Sequence, residues 1–288
     1  MIQLAFSTNA YTKFALTDAC DRIAAAGYRA VEVLADAPHA YPLHFSEHEA
    51  RRLKERLDSL GLRCAAVNAN TAMGYFEPFP AALTFEPSLI SPNEVHRQDR
   101  VALIRNAITL ANRLGAPVLT ITGGRTSDLE ALGLPVDSPG VLRERLLEGL
   151  EQVVRLADLG GVDLALEAEP GQLIETVADT KALLDEVDHP RLGANLDIGH
   201  ARCAGDDPAE AVRTLAKHLR HLHLEDIKGR RHYHLIPGLG EIDFAAVRRA
   251  LDDVGYSRAA AVELYTYADE PDRAAKEAFR ALAPLFET

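Results

Sequence analysis

VDLALEAEPGQLIETVADTKALLDEVDHPRLGANLD, residues 162–197, reads as a short strand, an amphipathic helix over 176–186 and a second strand. Side chains on a strand alternate between its two faces. Ala165, Glu167 and Glu169 therefore oppose Leu164 and Leu166, and Gly193, Asn195 and Asp197 oppose Leu192, Ala194 and Leu196. A leucine face packs against helices, so the small and polar face is left to point inward. A strand, a helix and a strand in this order imply parallel pairing with a right-handed crossover.

The same unit recurs along the whole chain. Strand candidates lie at 3–7, 29–34, 62–68, 117–122, 162–168, 192–197, 219–224 and 259–264. Helical periodicity fills 17–26, 46–60, 98–114, 140–159, 176–186, 208–217, 243–254 and 270–286. In 101–112, for example, Val101, Leu103, Ile104, Ala107, Ile108 and Leu110 make one apolar stripe. Eight strict βα units predict a closed (β/α)8 TIM barrel, one domain over residues 1–288, with its active site at the C-terminal face of the strands. An open doubly wound sheet would carry a GxGxxG after its first strand, and none is there. Gly27, Gly61, Gly115, Gly160 and Gly255 stand where helices should stop, and Ser46 and Asp207-Pro208 where they should start. Two long loops, 69–97 and 225–242, both follow strands and so belong on the catalytic face.

Composition narrows the function. The 288 residues are 47% hydrophobic with a formal charge of −12, a balance that disfavours nucleic acid as a partner. Cys20, Cys64 and Cys203 are scattered, form no CxxC pair, and predict reduced thiols and a cytoplasmic protein. MIQLAFSTNAYTKF lacks the basic and apolar regions of a signal peptide, and no apolar run reaches membrane-spanning length.

Four strand ends carry metal-capable side chains: Glu167 or Glu169, then Asp197, His223 and Glu263, all on the inward parity. Three carboxylates at one rim repel unless a cation or bound protons offset them. A mixed carboxylate and imidazole set suits one divalent ion: Mn²⁺, Mg²⁺, Co²⁺ or Zn²⁺.

At these residues the chain resembles the xylose isomerase-like barrels, the sugar and sugar-phosphate isomerase/epimerase superfamily that includes the ketose 3-epimerases. EPGQLIET (169–176) looks like the epimerase segment with a metal-binding Glu and a substrate-binding Glu six residues on, DIGH (197–200) like its D-x-x-H, and HLHLED, VELY and PGLGEIDF like later family segments. The resemblance implies metal ligands Glu169, Asp197, His223 and Glu263, with Glu175 and His200 on substrate. It prefers Glu169 to Glu167 on spacing and leaves Glu167 deeper, hydrogen-bonded to a neighbour such as Asn195. It also implies Glu169 and Glu263 as the proton carriers of an enediolate reaction, and a small sugar or polyol as substrate.

The family's substrate-binding Arg falls in a loop where Lys228, Arg230 and Arg231 crowd, a cluster fit for a substrate phosphate or for solvent. His232 and His234 add an HxH pair that contacts substrate or holds a second metal. Related zinc AP endonucleases carry D-x-H in a comparable loop, but their extra histidines on earlier strands are replaced here by Asn68 and Asn70. Tyr75, Phe76, Phe79 and Phe85 form either an apolar lid or a subunit contact of a homodimer. The expected function is a metal-dependent sugar or sugar-phosphate isomerase or epimerase. The alternatives are an inosose-type dehydratase on the same scaffold, an AP-endonuclease-like zinc hydrolase and a non-catalytic sugar-binding barrel.

Overall fold

Strand β1 (Gln3–Ser7) begins a regular alternation in the computed structural model, which describes residues 2–78 and 85–287. There follow α1 (Leu16–Ala25), β2 (Ala30–Leu34), α2 (Glu47–Leu60), β3 (Arg63–Asn68), α3 (Glu94–Leu114), β4 (Val118–Thr122), α4 (Thr126–Ala131) and α5 (Pro139–Gly160). The second half continues with β5 (Asp163–Glu167), α6 (Val177–Val187), β6 (Leu192–Asp197), α7 (Ile198–Ala204), α8 (Pro208–Leu215), β7 (Leu219–Leu224), α9 (Phe244–Asp253), β8 (Ala259–Val262) and α10 (Pro271–Phe286). The strands pair in sequence order, all parallel, and β8 closes on β1 with Leu4 beside Ala260. The chain is thus a closed (β/α)8 barrel, as its periodicity predicts.

Local chemistry sets the boundaries. Ser46 and Glu49 make a reciprocal capping box that starts α2, and Gly61 ends it in the left-handed region, where a Cβ would be strained. The stop expected at Gly160 falls one residue later. Gly161 takes the positive φ, while Gly160 packs so closely that a Cβ on it would lie 2.5 Å from Ile108 Cγ2. α3 starts at Glu94 rather than 98 because the Asn93 side chain accepts the Val95 N–H, which shortens the preceding loop. Short α4 and α7 were not anticipated; neither is long enough to show a period.

Leucine faces pack outward as parity requires: Leu164, Leu166, Leu192, Leu222 and Leu224 join the continuous core between sheet and helices. Burying each such side chain contributes about 2 kcal/mol. The barrel interior differs. Its lower layer is an alanine cluster of Ala5, Ala30, Ala65, Ala259 and Ala261, where barrels usually place bulky branched residues.

Buried carboxylates shape the rim loops. Asp226, just past β7, accepts N–H groups from Ile227 (2.9 Å), Gly238 (2.9 Å), Gly240 (2.8 Å) and Ile242 (3.0 Å). The PGLG segment therefore wraps an internal aspartate, and a Cβ on Gly240 would sit 2.3 Å from Asp226 Oδ1. Asp226→Ala is expected to destabilise the fold by ~2–4 kcal/mol, because several buried N–H groups lose their acceptor together. A shift of the urea midpoint at constant slope measures it; a change under 1 kcal/mol, a typical cost for one ordinary hydrogen bond, would contradict it. Arg100 does the corresponding work after β3, donating from within the core to the carbonyls of Ala69 (2.6 Å) and Asn70 (3.1 Å).

Candidate metal centre and active site

Adjacent strands bring the acidic ends together. β-pairing sets Glu167 beside Asn195 and Asp197 beside His223, and Glu263 follows β8. Ligand atoms of Glu167, Asp197, His223 and Glu263 all lie within 4.8 Å of one another, and all four residues are buried. His223 Nδ1 faces the carboxylates of Glu167 (3.3 Å), Glu263 (3.6 Å) and Asp197 (3.9 Å). Its Nε2 lies 2.9 Å from Glu32 on β2, which also engages His221 Nε2 at 2.9 Å. A carboxylate behind an imidazole fixes the ring's orientation and raises its basicity, the usual support of a metal-binding histidine.

Asparagines hold the outer carboxylate oxygens. Asn70 and Asn195 each donate to Glu167 Oε2 at 2.6 Å, the second as the sequence led us to expect. Asn9 (2.9 Å) and Asn68 (3.1 Å) donate to Glu263 Oε1. Asp197 Oδ1 accepts the His200 N–H at 2.6 Å and so caps α7. Its Oδ2 lies 3.7 Å from His200 Nδ1 and 3.9 Å from His223 Nδ1, and the carboxylate hydrogen-bonds that of Glu225, which burial and Asp197 hold well above its ordinary value. Three carboxylates and one imidazole, their ligand atoms within 4.8 Å of one another in the interior, fit a divalent cation. Gly199 in the DIGH turn leaves space for Glu225, whose Oε1 accepts its N–H at 2.6 Å; a Cβ there would lie 1.9 Å from that oxygen.

The first member of the set is Glu167, where the six-residue spacing favoured Glu169. β5 ends at Glu167, and Glu169 opens the turn that follows, its carbonyl accepting the Gln172 N–H at 3.0 Å. The Glu169 carboxylate is taken by Arg125 (2.8 Å) and by Gln172 Nε2 (3.0 Å). Glu169 still lines the cavity above the cluster, with Glu167, His200, Glu263, Asn9, Asn68 and Asn70 among its walls. That cavity measures about 290 Å³. Glu175 is exposed and lines, rather than that cavity, a small crevice on the far side of Asn195 and Asp197, beside Val177 and Thr180.

His200 joins the site with Nδ1 3.2 Å from Glu167 Oε1. The HxH pair meets it: His200 Nε2 lies 3.0 Å from His232 Nε2 and 3.3 Å from His234 Nε2. His234 Nδ1 is 2.8 Å from the Glu263 carbonyl oxygen, so that loop is fastened to β8's end. The basic cluster does not reach the cavity. Arg230 donates to the Cys203 (3.0 Å) and Ala204 (2.6 Å) carbonyls at the end of α7, Arg231 lies over Tyr233, and Lys228 is exposed. Helix-end carbonyls are the natural partners of a nearby guanidinium.

Of the aromatic loop, Phe85 lines the cavity and packs under Arg125, while Tyr75 hydrogen-bonds Asp99 at 2.7 Å and Phe76 borders a neighbouring groove. Phe79 lies outside the described residues. Sequence reasoning missed Arg125, Glu32, His221, Glu225, Asn9 and Tyr265. The available signal for Glu32 was a charge inside the apolar strand AVEVL.

Crowding displaces the titrations. Burial pushes Glu263 up to about 8, with Glu167 and Glu32 adding to the rise against His223. Burial likewise raises Glu169 to about 7, against His200 and Arg125. His223 is raised well above its ordinary value: burial opposes this, but the charges of Glu263, Glu32 and Glu167 outweigh it. Burial lowers His234 to about 3.

These shifts favour the protonated forms of Glu263 and His223, and a cation bound there would displace protons. Cation affinity is therefore expected to rise as pH rises through 8, with net release of protons on binding near pH 7. Calorimetry in buffers of different ionisation enthalpy counts them, and a count of zero would contradict the ligand set.

The family described as xylose isomerase-like TIM barrel matches residues 20–285. A fructoselysine 3-epimerase from Shigella flexneri is 28% identical over 269 residues, 90% of each chain. An inosose dehydratase from Clostridium perfringens is 27% identical over 167 residues, 50% of this chain and 56% of its own. The structure of a D-psicose 3-epimerase with D-tagatose from Clostridium cellulolyticum superposes with a TM-score of 0.79 at 20% identity, covering 100% of both chains. No helix among the described residues is long and apolar enough to cross a membrane.

Proposed function

We propose, for a chain that belongs to the xylose isomerase-like TIM barrel family, a divalent-metal-dependent epimerase of a small hydroxy-carbonyl substrate. The observation that carries this reading is the convergence of Glu167, Asp197, His223 and Glu263, of which Glu167 and Glu263 line a small-molecule cavity. A cation held by these four would supply Lewis acidity, making a proton beside a carbonyl easier to remove by stabilising the enediolate.

The chain's own groups do the rest. Glu263 and Glu169 come from strand ends three apart around the barrel and both line the cavity, so each meets a bound substrate from a different side. In this reading one takes the carbon-bound proton and the other returns one to the opposite face. His200 lines the cavity, and its Nε2 would turn from His232 and His234 to a substrate hydroxyl while Nδ1 stays on Glu167. Asn9 and Asn68 keep Glu263 aimed, and Arg125 does the same for Glu169. Phe85 excludes water from one wall. No lysine or arginine is among the cavity's described lining residues, which favours an unphosphorylated substrate.

The test is incubation of the metal-loaded protein with ketoses and their amine adducts in D2O. Expected are an epimer carrying deuterium at the inverted carbon, loss of the reaction on chelation, and recovery with Mn²⁺. A dehydratase is the second reading, favoured by the inosose dehydratase relative; it predicts loss of water from the product mass instead. Neither product from any hydroxy-carbonyl compound would leave the binding-only barrel. One ion per chain belongs to this reading, and elemental analysis returning two would extend it to His200, His232 and His234.

A further inference from the structure

The opposite end of the barrel holds a larger cavity, of about 590 Å³. It exists because the lower interior is lined by alanine rather than branched residues. Ala65 and Ala259 form part of its floor with His221. Its walls are the N-terminal ends of strands. Arg63 opens β3, Asp163 opens β5, Arg220 is near the start of β7, and Arg191 and Arg258 immediately precede β6 and β8.

The charges there do not balance. Asp163 alone receives Arg258 (2.8 Å), Arg191 (3.1 Å) and Arg220 (3.8 Å). Arg191 also reaches Asp158 at 3.5 Å, and Arg220 otherwise donates to backbone carbonyls, such as that of Pro190 at 3.2 Å. Lys54 is paired with Asp58. The Arg63 backbone N–H donates to the Arg29 carbonyl at 2.9 Å, but its exposed guanidinium has no ion pair or hydrogen bond to a described residue. Among lining groups, Lys54 and the four arginines give five positive charges against two carboxylates, a surplus of three (5 − 2) in a chain of formal charge −12. Arg220 is also held below its ordinary value, by burial first and by Arg258 second. Guanidinium forks converging in a concave site match the oxygens of a phosphate group.

We propose that this N-terminal cavity binds the phosphate group of a small phosphorylated molecule. The site is separate from the cation set, with His221 and Glu32 between them. It stands independently of the epimerase reading. The occupant's phosphate would sit among Arg63, Arg220 and Arg258, where it offsets their surplus charge, and the alanine floor leaves room for a short carbon skeleton.

Isothermal titration with inorganic phosphate and with glycerol 3-phosphate tests this on the metal-loaded protein, the chelated protein, Arg63→Glu and Arg258→Ala. Expected is one saturable site per chain, weakened at least tenfold in both variants and retained after chelation. Tighter binding of glycerol 3-phosphate would identify a phosphomonoester as ligand, and equal binding free phosphate; both support the site. Arg63→Glu changes an exposed, unpaired side chain, so its thermal melting should match wild type even if Arg258→Ala loosens the barrel end. No saturable binding, binding unchanged in Arg63→Glu, or binding that disappears with the metal would overturn the proposal.

Discussion

Glu263→Gln is expected to slow metal-dependent proton exchange at the substrate carbon by ~10³-fold, within the range that a positioned acid or base supplies. The carboxylate stands at the end of β8, facing His223 Nδ1 at 3.6 Å, with Oε1 held by Asn9 and Asn68. A glutamine is nearly isosteric and keeps an oxygen for those donors, so the barrel should fold. It removes the charge that a cation needs and the oxygen that moves the proton. Deuterium wash-in, read beside metal content, separates these two losses. Exchange retained at the wild-type rate with metal bound would take Glu263 out of the chemistry.

The second large effect distinguishes two glutamates separated by one residue. Glu167→Gln should weaken cation binding by ~100-fold or more, since even loss of a group that only supports a ligand costs 10- to 100-fold. Asn70 and Asn195 both donate to Glu167 Oε2, so an amide nitrogen at that place would meet two donors and no acceptor. Glu169→Gln should leave cation affinity within a few-fold, because its carboxylate is engaged by Arg125 and Gln172 rather than by the cluster. It should reduce turnover instead, if Glu169 carries a proton. Chelator competition ranks the two variants. The reverse ranking would restore Glu169 to the metal and make Glu167 a structural acid.

Much of the site was legible beforehand because strand parity is a local property. Once 192–197 is a strand, Asp197 must share a face with Asn195, and the same rule places His223 and Glu263 inward. Parity could not choose between Glu167 and Glu169, which have the same one. That choice depended on where β5 stops and on Arg125, which stands 44 residues from Glu169 in sequence. Glu175 and the Lys228–Arg231 cluster stand outside the cavity for a related reason. They lie in loops whose direction is set by tertiary contacts, such as the carbonyls ending α7 that capture Arg230.

Eight βα units, the closed barrel and the inward face of each strand are legible along the chain. These follow from periods of two and 3.6 residues, which need only neighbouring positions along the chain. Contacts between distant residues put Glu167 rather than Glu169 in the clustered set, stand Glu32 behind His223, and bring His232 and His234 against His200. Those contacts join residues far apart in sequence, and their geometry is fixed by barrel closure and loop packing. Periodicity places the strands in the barrel but encodes neither the loop paths nor the side-chain contacts across the rim.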